Sequence, residues 1–255
     1  MDVMKKCYLW LKIRVLTLKE LKKPPQYNGY YLPPPKFRQL TTATHITIEE
    51  HIKEGLNASR LLTSILKKEG IDPHQMTGNV LDFGSGCGRV LRHIRQAMPN
   101  AQLFGCDVDE DIIDWNRKNL RFAKWHINNY LPPTDFKTTF FDIIYLISVF
   151  THIDEKTQFA WLNEFSRIIK PKGFLIITVV PLEPNGSSKG MIYTYRKRDL
   201  VKRPWVRCKS KHPYYIDAKH SEHYCETQWI THFKIVKYYK KALRGVQDLV
   251  LLRKK

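Results

Sequence analysis

The chain has few cysteines, and none is arranged for a shared task. Cys7, Cys87, Cys106, Cys208 and Cys225 are scattered, odd in number and without a C-x-x-C pair. Such a set excludes a disulfide framework and a cysteine-rich zinc site, and it fits a reducing, cytoplasmic compartment. Long apolar runs are missing as well: no stretch approaches the roughly 18 residues that a membrane-spanning helix needs. The first eighteen residues have an apolar character, yet Lys12 and Arg14 interrupt what an export signal keeps uncharged. Acidic residues are scarce at both ends. Residues 1–40 hold nine Lys and Arg against two Asp and Glu, residues 189–255 hold eighteen against five, and the stretch between them sixteen against seventeen. The formal net charge of +19 is therefore a property of the ends. Ends that flank the mouth of a site would favour an anionic substrate or an anionic surface.

With 255 residues, 43% of them hydrophobic, one large α/β domain with elaborations is expected. Residues 1–45 read as a basic arm in which Pro24-Pro25 and Pro33-Pro34-Pro35 bracket the aromatic stretch Tyr27 to Tyr31. Such a segment wraps a surface more readily than it forms a core. Residues 46–255 make up the domain proper, beginning with a helical cap. Ile48, Ile52, Leu56, Leu61, Leu62, Ile65 and Leu66 fit helix turns up to Glu69, and the helix should end near Gly70.

From Gly78 the pattern alternates: strand Asn79–Phe83, helix Arg89–Met98, strand Gln102–Cys106, helix Glu110–Asn119, a short strand near Trp125 and strand Phe141–Ile147. Helix Lys156–Ile169 follows, with Pro171-Lys172-Gly173 as its stop and the continuous apolar strand Phe174–Val180 beyond. Alternation at this spacing means βαβ units on a parallel sheet with right-handed crossovers. Residues 181–220 lose periodicity and read as a lid-like insertion. A short helix around Tyr224–Thr231 and strands Phe233–Tyr239 and Val246–Leu252 close the chain.

The chemistry is carried by Val80-Leu81-Asp82-Phe83-Gly84-Ser85-Gly86-Cys87-Gly88-Arg89, an apolar strand that runs through three glycines into a helix. A nucleotide dehydrogenase shows G-x-G-x-x-G, whereas here an acid stands two residues before the first glycine. A carboxylate at a strand tip repels pyrophosphate and suits a cationic ligand. This segment resembles motif I of the class I, Rossmann-like S-adenosylmethionine-dependent methyltransferases. The resemblance extends to Asp107, twenty-three positions beyond Gly84, to Phe141–Ile153, and to Arg167-Ile168-Ile169-Lys170-Pro171-Lys172-Gly173. It covers residues 78–180 well and the stretch Gly245–Val250 more loosely.

The resemblance implies a mostly parallel seven-stranded sheet with helices on both faces and an antiparallel last strand. It also implies S-adenosylmethionine as the methyl donor. Asp82 would face the donor's amino acid part, with Gly84, Ser85 and Gly86 passing beneath it and Gly88 completing the turn. Asp107 would accept from the ribose hydroxyls, with Val108 and Ser148 beside the donor. Asn128 or Asn129 would lie near adenine.

Displacement at a sulfonium carbon needs a lone pair held in line and calls for no metal. A hydroxyl acceptor must also lose a proton, and His152, at the C-terminal end of the fourth strand of the motif, is the candidate base. His220, His223 and Cys225 form a second cluster, read as a substrate-contacting loop or a helix start. The loop Ser148-Val149-Phe150-Thr151 lacks the N-P-P-Y of nucleobase-methylating enzymes, which favours a small or glycan-type acceptor bearing oxygen or nitrogen, anionic in keeping with the basic ends. Two alternatives stay open. RNA would suit the basic and aromatic run of Tyr193, Tyr195, Arg196, Lys197 and Arg198, continued by Lys202, Arg203, Trp205, Arg207, Lys209 and Lys211. A lipid-linked glycan at the inner membrane surface would suit Leu9, Trp10, Leu11, Ile13, Val15 and Leu16, set among Lys12, Arg14 and Lys19.

Overall fold

The computed structural model describes residues 3–42, 47–182, 190–197 and 214–255. Helix α1 (Val3–Lys22) leads into strands β1 (Gln26–Tyr27) and β2 (Tyr30–Tyr31) and helix α2 (Pro35–Thr42). Asn28 and Gly29, left-handed at φ 52° and 80°, turn β1 into β2, as Asn-Gly does between paired strands. Pro35 opens α2 at the position where a missing N–H costs nothing. The proline-rich segment thus builds helices of its own, and Leu32, Phe37 and Arg38 are buried.

Helix α3 (Ile48–Lys68) matches the expected cap. Thr47 and Glu50 form a reciprocal capping box at its start, and Gly70 follows its end at φ 79°. Strand β3 (Asn79–Phe83), helix α4 (Leu91–Ala97), β4 (Gln102–Asp107), α5 (Glu110–Asn119), β5 (Lys124–Ile127) and β6 (Phe141–Leu146) come next. A single 3₁₀ turn, Phe150–His152, then leads to α6 (Glu155–Ile168) and β7 (Ile169–Pro181). The remaining elements are β8 (Met191–Lys197), β9 (Tyr214–His220), α7 (Glu222–Gln228), β10 (Phe233–Leu243) and β11 (Gln247–Lys254).

Seven strands lie in the order β10-β11-β7-β6-β3-β4-β5. The pairs from β7 through β6, β3 and β4 to β5 are all parallel, and β11 runs antiparallel to both its neighbours. This is the expected mostly parallel sheet with its last strand reversed. Successive residues face opposite layers: Leu81 and Phe83 join α6 and α7 in one core, and Val80 joins α3, α4 and α5 in the other. Likewise Val250 and Leu252 face the first layer, and Leu249 and Leu251 the second.

One expectation is corrected. Pro171-Lys172-Gly173 does not stop the helix, which ends at Ile168. The chain is already extended at Ile169, which pairs with Phe141, and a register irregularity with Lys172 at φ 63° absorbs the tripeptide within β7. Within residues 181–220, read from the sequence as a lid-like insertion, β8 and β9 pair antiparallel, and β9 extends the end of β7 in parallel at Val180 and Pro181. The basic run beyond Lys197 and the side chains of residues 193–197 lie outside the described residues. Among the described residues no helix is long and apolar enough to cross a membrane.

Candidate functional site

The parallel sheet delivers its strand ends to one rim, where open α/β sheets bind ligands. Asp82 on β3 stands in register with Gly105 of β4 and Tyr145 of β6, so the carboxylate is flanked on one side by bare backbone and on the other by a phenol. Asp82 is 3% exposed, and its Oδ2 has no partner among the described residues. Burial pushes its pKa up to about 7. The Tyr145 hydroxyl and the charge of Arg89 pull the other way, and the charge of Asp107 pushes further up.

Beyond β3 the chain turns through Gly84, Ser85, Gly86, Cys87 and Gly88. The Gly84 and Ser85 amides both donate to the Cys106 carbonyl at 2.9 Å, which ties the turn to β4. Gly84 sits at φ 71°, and a Cβ there would run into a Val149 methyl from the loop after β6. Gly88, at φ 69°, donates to the Ser85 carbonyl at 3.1 Å, and the space for its Cβ is taken by Leu120 and Trp125. Gly88 therefore serves the packing behind the turn. The Ser85 hydroxyl is buried without a partner among the described residues.

Asp107 ends β4. Its Oδ2 accepts from the Gly86 amide at 2.8 Å and its Oδ1 from the Asp109 amide at 3.0 Å. Burial raises its pKa, against the pull of these amides. Val108 follows half-buried, and Asp109 caps α5 by accepting from Ile112 N at 3.1 Å. At the end of β5 the Asn128 amide donates to the Asp107 carbonyl at 3.1 Å, which brings Asn128 to the same rim. Its Nδ2 bonds the Asn129 carbonyl and its Oδ1 is buried without a partner among the described residues. Asn129 itself is exposed. Ser148, left-handed at φ 61°, donates its amide to the Thr178 hydroxyl at 2.8 Å and exchanges a side-chain bond with Gln247 of β11.

His152 closes the 3₁₀ turn beyond Ser148. Its Nδ1 lies 3.2 Å from the Ile216 carbonyl of β9, and because a carbonyl only accepts, Nδ1 carries the hydrogen. Burial lowers its pKa, with that carbonyl and Asp217 acting in the opposite sense. The second cluster does not converge. His220 is fully buried and donates from Nε2 to Gln158 Oε1 at 2.9 Å, Cys225 is buried, and His223 is exposed. Gln158 spends its own amide on the Phe150 and Ile153 carbonyls, so His220 pins the turn that carries His152.

Sequence reasoning missed several contributors. Asn116 holds the Gly86 carbonyl at 2.8 Å from the buried face of α5. Tyr145 reaches Asp82 only through strand register. From the N-terminal arm, Phe37 packs on Cys87, Ile112 and Trp115, and its carbonyl meets Cys87 Sγ at 3.9 Å, so the arm lies over the glycine turn. A buried polar residue on an apolar helix face was the one available signal, at Asn116.

Residues 81–175 match the family described as a methyltransferase domain. Among solved structures the chain is similar to a TehB-like SAM-dependent methyltransferase from Corynebacterium glutamicum, with 17% identity and a TM-score of 0.52 over 86% of this chain and 94% of that one. It is also similar to a chain of the complex between the Haloferax volcanii Trm112 methyltransferase activator and a methyltransferase, with 14% identity and a TM-score of 0.56 over 88% and 99%. A third likeness is to the glycopeptide N-methyltransferase MtfA complexed with S-adenosyl-L-methionine, with 11% identity and a TM-score of 0.55 over 78% and 93%.

Proposed function

We propose that this chain, whose residues 81–175 match a methyltransferase domain, is a class I, S-adenosylmethionine-dependent enzyme that moves a methyl group from that donor onto an oxygen or nitrogen of a small or glycan-type acceptor. The donor supplies a methyl group already activated on a sulfonium. The chain's own residues bind, orient and exclude water.

The observation that carries the reading is a pair of carboxylates on adjacent strand tips, Asp82 buried and Asp107 half-buried, around a left-handed glycine turn. Each Asp107 oxygen uses one lone-pair direction on a backbone amide and keeps a second for a ribose hydroxyl. Asp82 Oδ2, with no partner among the described residues, suits the donor's ammonium. Gly84, Ser85 and Gly86 offer backbone beneath the methionine part, Asn128 Oδ1 is an acceptor for the adenine amino group, and Val108 lies between them. His152, held neutral by burial, has its tautomer fixed by the Ile216 carbonyl, which puts the basic lone pair on Nε2. Proton removal from a hydroxyl acceptor is assigned to that nitrogen.

Calorimetric titration of the full chain with S-adenosylmethionine and its demethylated product tests the donor site. Micromolar binding, lost in an Asp82→Ala, Asp107→Ala double variant that remains folded, is expected. A folded wild-type chain that binds neither compound sinks the reading.

One observation favours a surface-bound form of this enzyme. Leu11, Val15 and Leu18, exposed on one side of α1, form an apolar stripe beside the cations Arg14, Lys19 and Lys22. Sedimentation with anionic vesicles should carry down the wild-type chain and leave a Leu11→Ser, Leu18→Ser variant in solution.

A further inference from the structure

Beside the glycine turn, where α3, α4 and the N-terminal arm meet, basic side chains are buried together. Arg38 comes from α2, His51 from the first turn of α3, Arg89 from the end of the glycine turn, and Arg92 and His93 from α4. None is more than 8% exposed. Helix α3 lies hard against the start of α4: a Cβ on Gly55 would strike the Arg89 carbonyl and the His93 ring. The arm covers the group from the other side, with Tyr27 against the His93 ring and the Tyr31 carbonyl accepting from Arg92 Nη2 at 3.2 Å.

Two members are partly accounted for. Arg38 is satisfied by Glu20, at 2.7 and 2.9 Å, and by the Pro33 carbonyl at 2.7 Å. Arg92 has its one bond to Tyr31. Among the described residues no partner exists for Nε and Nη1 of Arg89, for Nε and Nη1 of Arg92, or for either ring nitrogen of His51 and His93. The nearby acid Glu54 is engaged by Arg244. Guanidinium groups do not shed their charge on burial, and although Glu54 and Asp82 act on the charge of Arg89, neither bonds its Nε or Nη1, so the group suits a further anion. The groups also act as one unit: the His51 pKa is held well down by burial and by the charges of Arg92, Arg89 and Arg38.

The free donors are Nε and Nη1 of two guanidiniums, buried at a junction that the arm closes. Donors that point in several directions in this way suit a tetrahedral oxyanion, whose several oxygens each accept bonds. Arg89 is coupled to Asp82 and so adjoins the donor site, whereas Arg92 and His93 extend the group along α4 beneath Tyr27 and Tyr31. More buried donors are left unpartnered here than a single carboxylate of the donor can use.

We propose that this junction binds a phosphate group of the acceptor, gripped by Arg89 and Arg92 with His51 and His93 around it and enclosed by the arm. The proposal rests on the methyltransferase reading for the word acceptor, and on the side chains alone for the anion.

The test uses the full chain, with inorganic phosphate and pyrophosphate as probes and sodium chloride matched for ionic strength as control. Wild-type protein should melt several degrees higher in millimolar phosphate or pyrophosphate than in the control. Arg92→Met should lose that increment, melt no lower than wild type in the control, and keep its S-adenosylmethionine affinity within about threefold. Arg92→Lys, which keeps the charge and loses the fork, guards against a misfolded Met variant and should bind the probes at least tenfold more weakly. The proposal is overturned by no increment in wild type, by an increment that survives both substitutions, or by loss of donor affinity in either folded variant, which would assign the cluster to the donor's carboxylate. If the probes bind and S-adenosylmethionine does not, the transferase reading fails and the anion site stands; the converse result does the opposite.

Discussion

Two groups of charged side chains flank the glycine turn, opposite in sign and different in construction. On the strand side, Asp82 and Asp107 sit on neighbouring tips, and Asp107 is held by the backbone amides of Gly86 and Asp109. On the helix side, His51 comes from α3, Arg89 from the end of the glycine turn and Arg92 and His93 from α4, and they find few partners. The first is an arrangement for a cation, built by sheet register within one βαβ unit. The second suits an anion and exists only because α3 and the arm close over α4. A cationic donor and an anionic acceptor would thus be sorted by charge before either is oriented.

The comparison gives neither side a base, and this sets the largest expected effect. Replacing His152 with Gln should slow methyl transfer to a hydroxyl acceptor by about 10²–10⁴-fold with donor affinity unchanged, as single-turnover rates and calorimetry would show. An unchanged rate would remove His152 from the reaction.

Next in size, Asp107→Ala should weaken S-adenosylmethionine by about 100-fold in calorimetry, through two lost ribose bonds at roughly 1.5 kcal/mol each. The Gly86 amide would also lose its anchor. A loss below threefold would show that the acidic side does not hold the donor.

The effect read against pH should be the most diagnostic. Folding raises the Asp82 pKa to about 7, so donor affinity should fall as pH drops from 7.5 to 6, by roughly tenfold per unit well below 7. Asp82→Asn should flatten most of this dependence. Stability should move in the opposite sense. A carboxylate whose folded pKa is raised binds more protons folded than unfolded, so its contribution is lost as pH rises from about 4 to about 7. The stability of Asp82→Asn relative to wild type should therefore grow across that window, by up to about 4 kcal/mol from a shift of about three units, and level off above it. Denaturant unfolding of the two proteins at pH 5 and pH 8 would reveal it, and parallel curves would place Asp82 in a more polar setting.

Much of the acidic side was legible in the sequence. Strand β3 and helix α5 have the expected ends, because apolar runs and cap residues such as Asp109 act over a few positions. Asp82, Gly84, Ser85, Gly86 and Asp107 share one rim because a strand, a turn and the next strand place them there. Ile169 joining β7 was not legible, since it depends on Phe141 across the sheet. The engagement of Ser148 by Gln247, 99 positions away, had no local signal. The hairpin at Asn28-Gly29 did have one, a turn dipeptide set between tyrosines.

By itself, the sequence determined the alternation of strands and helices, the glycine turn and its two acids. Each of these rests on backbone preferences and side-chain periodicity within a short span. Tertiary structure alone decided that Tyr145 flanks Asp82, that His152 answers to β9, and that five basic residues meet beneath the arm. Contacts between distant segments depend on which faces pack, and burial then sets what a charge there must find as a partner.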